Sequence, residues 1–144
     1  MPDGSTALQD SLAMSGEPAR RVLVVEDEAL IAAMIVEWLE EIGCKVIGPA
    51  FRVSDGIELA EKEHLDAAVL DVNVNSERIY PLAEYLRSRG VSLVFATGYG
   101  ERIAEVAHKE IVLEKPFTFD QLANAIAEAF GKSRWYLTIC PPCR

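Results

Sequence analysis

Four short apolar runs, each closed by polar residues, constrain this chain more than any other feature. Glu26 and Asp27 follow the run 21–25, Asp71 follows 66–70, Thr97 follows 91–96, and Lys115 with Pro116 follows 111–114. Runs rich in β-branched residues and lacking polar alternation mark strands buried on both faces, as in parallel sheets covered by helices. In an open sheet of that kind, ligands sit at the carboxyl ends of the strands. The four marks therefore meet at one rim, which carries three carboxylates, a hydroxyl and an ammonium. Such a set suits a divalent cation and a phosphoryl group.

Size and charge narrow the class. The 144 residues, half of them hydrophobic, suffice for one domain with a core and are short for two. A net charge of −9 argues against a nucleic-acid surface, which needs clustered Lys and Arg, but leaves protein partners open. No apolar stretch approaches the ~20 residues that span a bilayer. The first 18 residues lack the charged start and apolar core of a secretory signal, so a cytoplasmic protein with no membrane contact is expected. Cys44 is expected in a strand as a small core hydrophobe. Cys140 and Cys143 form a C-x-x-C pair close to the last residue, away from the strand-to-helix turn a redox motif would open. Neither His64 nor His108 is spaced to complete a zinc site with them, so the pair reads as part of an incidental tail.

Along the chain, residues 1–19 read as a flexible leader, 20–131 as one domain, and 132–144 as an apolar and basic tail. Strands are expected at 21–25, 44–47, 66–70, 91–96 and 111–113. Helices are expected from Glu28 to Ile42 with Leu30, Met34, Leu39 and Ile42 among its apolar positions, from Ser54 as cap to Glu63, and from Ser76 to Arg89 with Pro81 inside. A short helix from Gly98 to Ala107 and a last one from the Thr118 cap to Phe130 complete the set, with Gly43, Gly90 and Gly131 as stops. Five strands alternating with five helices through right-handed crossovers give an α/β, flavodoxin-like, doubly wound parallel sheet of order 2-1-3-4-5. Its crevice lies between the first and third strands, where Glu26, Asp27 and Asp71 end.

Taken singly, each mark has an ordinary explanation: a helix cap, a turn residue, a strand end, a solvated lysine. Their convergence on one rim does not. Three carboxylates brought together repel one another and need a counter-charge. Mg²⁺ supplies it through oxygen ligands, with Asp27 and Asp71 direct, Glu26 acting through water and the Asn73 carbonyl completing the set. A carboxylate so held can attack phosphorus and form an acyl phosphate. The Lys115 ammonium stabilises the charge that develops, and the Thr97 hydroxyl can then donate to a phosphoryl oxygen.

This pattern resembles the receiver domain of bacterial two-component response regulators, over residues 20 to 131. The acidic pair Glu26-Asp27, Asp71, Thr97 and Lys115-Pro116-Phe117 match that family's functional positions in order and spacing. The resemblance implies Asp71 as the acceptor of a phosphoryl group from a sensor histidine kinase. It also implies Mg²⁺ dependence, slow self-dephosphorylation and a cis peptide before Pro116. The match has departures. Asp71 is followed by Val72-Asn73-Val74-Asn75, where most receivers carry Met-Pro and then glycine, and Val112 stands where most carry a switching Phe or Tyr. The string Phe95-Ala96-Thr97-Gly98-Tyr99 resembles a less common receiver group, in which Tyr99 is the candidate moving aromatic beside the switch residue Thr97.

With no second domain expected after Gly131, a stand-alone receiver is anticipated, with output through an unidentified downstream protein or a phosphorelay; the apolar tail leaves a homodimer open. Two rivals remain: a receiver-like interaction module that is never phosphorylated, and an aspartate-nucleophile phosphatase. The second would place Asp-x-Asp after the first strand, whereas Asn73 stands two residues beyond Asp71 and offers no acid to a leaving group. A flavin or dinucleotide site would need a glycine-rich loop where Glu26-Asp27-Glu28 stands.

Overall fold

The computed structural model describes residues 18–98 and 110–131. The expected leader (to residue 17), the tail with Cys140 and Cys143, Tyr99 and most of the fourth expected helix lie outside the described residues. Within them the strands are β1 Arg21–Val25, β2 Lys45–Ala50, β3 Ala67–Asp71, β4 Asn73–Val74, β5 Glu77–Arg78, β6 Ser92–Thr97 and β7 Ile111–Glu114. The helices are α1 Ala29–Ile42, α2 Val53–Lys62, α3 Tyr80–Ser88 and α4 Phe119–Ala129.

Five strands form one parallel sheet in the order β2-β1-β3-β6-β7. The neighbours are those expected for the five long strands. The chain inserts a small antiparallel hairpin, β4-β5, after the third, so β6 and β7 hold the fourth and fifth places. The apolar runs fill both faces, as continuous hydrophobic strands require. Val22, Val24, Val69 and Val94 pack with Ile35 and Leu39 of α1 and with Leu122 and Ile126 of α4. Leu23, Val25, Leu70 and Phe95 pack on the other face with Ala60 of α2 and with Leu82 and Leu86 of α3.

Several boundaries differ from the sequence reading, each for a local reason. The helix expected from Ser76 begins only at Tyr80, because residues 73–78 form the hairpin; Pro81 sits in the first turn, where its missing N–H costs nothing, and kinks no helix. Leu30 is 86% exposed rather than part of the buried stripe. That stripe runs through Ile35, Leu39 and Ile42, and Leu30 lies five residues before Ile35, roughly 140° around the axis at about 100° per residue. Arg52, not Ser54, occupies the N-cap position of α2, without a side-chain capping bond, since Val53 is already helical and drawn into the core. Cys44 lies just before β2 and is buried.

Strand β2 continues past Gly48-Pro49 instead of closing there. Its register with β1 shifts between Leu23↔Ile47 and Val25↔Ala50. Gly48, at φ +100°, makes the bulge feasible, because a Cβ there would stand 3.1 Å from the Val24 carbonyl oxygen and 2.9 Å from the Ala50 nitrogen. The bulge brings the Ala50 carbonyl to accept the Glu26 N–H at 3.0 Å. At the other side of the rim, Lys115–Pro116 is cis, as the resemblance implies. Phe117 is buried there, with Trp38 of α1 edge-on to it at 6.4 Å and to Phe119 at 5.9 Å. Thr118 then caps α4 in a reciprocal capping box with Gln121.

Candidate functional site

The carboxyl edge of the sheet gathers the marks because parallel strands end together. Glu26 leaves β1, Asp71 closes β3 opposite Ala96, Thr97 closes β6 opposite Glu114, and Lys115 leaves β7. Oxygens of Glu26, Asp27 and Asp71 lie within 4.8 Å of one another. Glu26 is 1% exposed and Asp71 6%, so these are acids largely removed from water.

Lys115 reaches into this group. Its Nζ donates to Asp71 Oδ2 at 3.2 Å and stands 3.0 Å from Glu26 Oε1. The second approach has ion-pair distance without hydrogen-bond direction, so Glu26 Oε1 is a buried oxygen with no hydrogen-bond partner. Glu26 Oε2 accepts the Glu28 N–H at 3.2 Å. Burial pushes the Glu26 carboxyl up to about 7; Asp71 adds to the rise and the Lys115 ammonium opposes it. The Lys115 pKa is raised: burial works against its charge, but the Glu26 and Asp71 carboxylates together outweigh burial. Lys115 therefore stays an ammonium.

The remaining residues shape the rim. The Asn73 N–H donates to Asp71 Oδ1 at 3.3 Å, placing Asn73 beside the Asp71 carboxylate. Thr97 is 7% exposed; its hydroxyl donates to the Gly98 carbonyl at 3.2 Å, and its own carbonyl accepts the Lys115 N–H at 2.8 Å. Thr97 thus sits at the junction of the site and the segment that follows it. Val112, at the position of the missing aromatic, pairs with Phe95 across the edge strand β7 and is half-exposed.

The donor set suits a cation. Three carboxylates facing the Lys115 ammonium leave an excess of negative charge, and the buried Glu26 Oε1 accepts no hydrogen bond. Hard oxygen donors in a small acidic cage fit Mg²⁺. One contributor escaped the sequence reading. Asn75, in the hairpin turn, donates its backbone N–H to Asp27 Oδ2 at 2.9 Å. In the sequence Asn75 stands directly before the helix expected from Ser76, which hides its place in a turn.

The chain is similar to known proteins. The family model for the response regulator receiver domain matches residues 22–127. The transcriptional regulatory protein PdtaR of Mycobacterium tuberculosis is 33% identical over 120 residues, covering 80% of this chain and 58% of that protein. The phyllosphere-induced regulator PhyR of Methylorubrum extorquens is 26% identical over 121 residues, 81% of this chain and 45% of that one. The chain thus spans about half the length of the curated relatives it matches. The solution structure of SdrG from Sphingomonas melonis Fr1 superposes with a TM-score of 0.67 at 36% identity, covering 78% of this chain and 97% of SdrG.

Proposed function

This chain belongs to the response regulator receiver domain family of two-component systems, and from that premise we propose that it accepts a phosphoryl group on Asp71 from a sensor histidine kinase. It passes the signal on by binding a downstream protein or by phosphorelay, in the cytoplasm. Among the described residues no helix is long and apolar enough to cross a membrane. The string from Phe95 to Tyr99 assigns it to the receiver group that carries Phe-Ala-Thr-Gly-Tyr, with Thr97 and Tyr99 as the switch pair. The observation that carries the reading is the cage itself: three acids with oxygens within 4.8 Å, two of them approached by one lysine.

In the proposed reaction an Asp71 oxygen attacks phosphorus of a phosphohistidine. The P–O bond forms as the P–N bond breaks, and the imidazole departs with the electron pair and takes up a proton. Lys115 holds Asp71 Oδ2 before transfer and faces the phosphoryl oxygens afterwards, where its positive charge offsets theirs. The Asn73 N–H steadies the other oxygen. Asp27 and Asp71 directly, Glu26 through water and the Asn73 carbonyl would hold Mg²⁺, which when bound neutralises charge on the transferring group. Thr97 can then turn its hydroxyl from the Gly98 carbonyl to the phosphoryl group and draw the following segment with it. Burial of Asp71 limits water access, consistent with slow self-dephosphorylation rather than turnover of a separate substrate.

Incubation with a small phosphodonor and Mg²⁺, followed by intact mass, tests the reading. One phosphoryl adduct is expected on the parent and none on Asp71→Asn. An adduct retained by the variant would move the acceptor elsewhere.

A further inference from the structure

We propose that Asn75 is a positioning residue for the acid cage: its backbone N–H sets the Asp27 carboxylate, and its side chain anchors the turn that carries that N–H. The proposal rests on the reading of the cage as a cation and phosphoryl site.

Asp27 lies between β1 and α1, in neither element, so no helix or strand fixes its side chain among its staggered rotamers. What meets it is the hairpin from the far side of the crevice. The Asn75 N–H donates to Asp27 Oδ2 at 2.9 Å across 48 positions of sequence, a charge-assisted bond. The Asn75 side-chain amide donates to the Phe51 carbonyl at 2.9 Å, just past the end of β2. One residue therefore joins the ends of β1, β2 and β3.

The turn is built for this. Asn73 pairs with Arg78 and Val74 with Glu77, leaving Asn75 and Ser76 as a two-residue loop. Their φ angles are 52° and 66°, and two positive values are what a type I′ hairpin requires. Asn tolerates this region better than most residues. Val74 is fully buried, and the Ile79 N–H returns to the Val72 carbonyl at 3.2 Å, so the hairpin is rooted in the core at both ends. Asp71 and Asn75 share one short rooted segment, and the hairpin thereby sets how far Asp27 stands from Asp71. A carboxylate has about four acceptor positions; the Asn75 N–H occupies one and leaves the others to a cation.

Two measurements test the proposal. The first is amide hydrogen exchange at Asn75 in the metal-free parent and in Asp27→Ala, with faster exchange expected in the variant. The second is calorimetric titration of Mg²⁺ into the parent, Asn75→Ala, Asn75→Gly and Ser76→Gly. Asn75→Ala, which loses the side-chain anchor and strains φ, should weaken Mg²⁺ binding about tenfold, as loss of a partner that orients a metal ligand does. Asn75→Gly keeps the N–H and accepts positive φ, so it should restore part of that loss, and Ser76→Gly should bind as the parent does. An Asn75→Ala variant with parental Mg²⁺ affinity and only a lower melting temperature would overturn the proposal, as would equal exchange at Asn75 in parent and Asp27→Ala. Failure of the parent to take up Mg²⁺ would bring down the functional reading and this proposal with it, and so is told apart from failure of Asn75 alone.

Discussion

Strands β1 and β3 carry charge at both ends, and the two ends treat it in opposite ways. At the amino end Arg21 donates its Nε to the His64 carbonyl at 2.7 Å and its Nη2 to Glu63 at 2.6 Å. Its backbone N–H meets Asp66 Oδ2 at 2.8 Å. At the carboxyl end of the same strands three acids face the Lys115 ammonium, and one buried oxygen, Glu26 Oε1, accepts no hydrogen bond. The fold can evidently satisfy its charges; where it leaves one short, the shortfall coincides with the crevice. A buried oxygen without a hydrogen bond, set in a rim with excess negative charge, is the mark of a site rather than of poor packing.

Removing the Lys115 ammonium from the carboxyl edge should have the largest effect. Lys115→Met leaves Glu26 and Asp71 buried against each other and should destabilise the metal-free protein by about 3 kcal/mol, the low end for breaking a buried pair. The low end applies because the Lys115 side chain keeps 17% of its surface exposed. Urea unfolding in the presence of a chelator measures this, and added Mg²⁺ should restore part of the loss. Glu26→Gln should act in the opposite direction. It removes the charge that burial disfavours and relieves Asp71, stabilising the metal-free protein by about 1 to 2 kcal/mol while weakening the gain from Mg²⁺. At the amino edge Arg21→Ala should cost only about 1 kcal/mol or less, since its partners are half-exposed. If Arg21→Ala cost as much as Lys115→Met, or Glu26→Gln were destabilising, the contrast between the edges would be void.

The same contrast explains what could be read from sequence. The carboxyl-edge residues were legible because each interrupts an apolar run, and the parallel sheet brings such interruptions together whatever the loops do. Glu26, Asp27, Asp71 and Lys115 follow from that rule alone. Asn75 did not, because its role depends on a turn that reverses the chain after Asp71. The strongest sequence sign of such a turn is Asn-Gly, and here Ser76 fills the second place at φ 66°. Without the glycine, residues from Ser76 onward looked like the start of a helix, and Pro81 like its kink. The bulge at Gly48 was hidden for a similar reason: Gly-Pro reads as a strand end, while the close Val24 carbonyl that makes glycine necessary is visible only in three dimensions. Leu30 shows the limit of composition, since an apolar residue in a helix need not face the core.

The smallest expected effect concerns the amino-edge counterpart of Glu26, a second buried titratable group. Cys44 is 3% exposed, in the corner where α1 gives way to β2, and its N–H is bonded to the Leu39 carbonyl at 2.9 Å. Burial pushes its thiol up to about 12; nearby Arg20 opposes the rise and Asp66 adds to it. The group is thus neutral throughout the physiological range. A neutral thiol carries no buried charge, and only the thiolate is a nucleophile. In a Cys140→Ser/Cys143→Ser double variant, a thiol reagent at neutral pH should therefore react with Cys44 at least about a hundredfold more slowly in the native protein than in denaturant, since reaction must await opening of the core. Rapid native-state labelling would show that the α1–β2 corner opens readily, and the amino edge could no longer stand as the settled end of the sheet. Slow labelling, unchanged by Mg²⁺ beyond its effect on global stability, would leave Glu26 as the buried titratable group whose charge is in play.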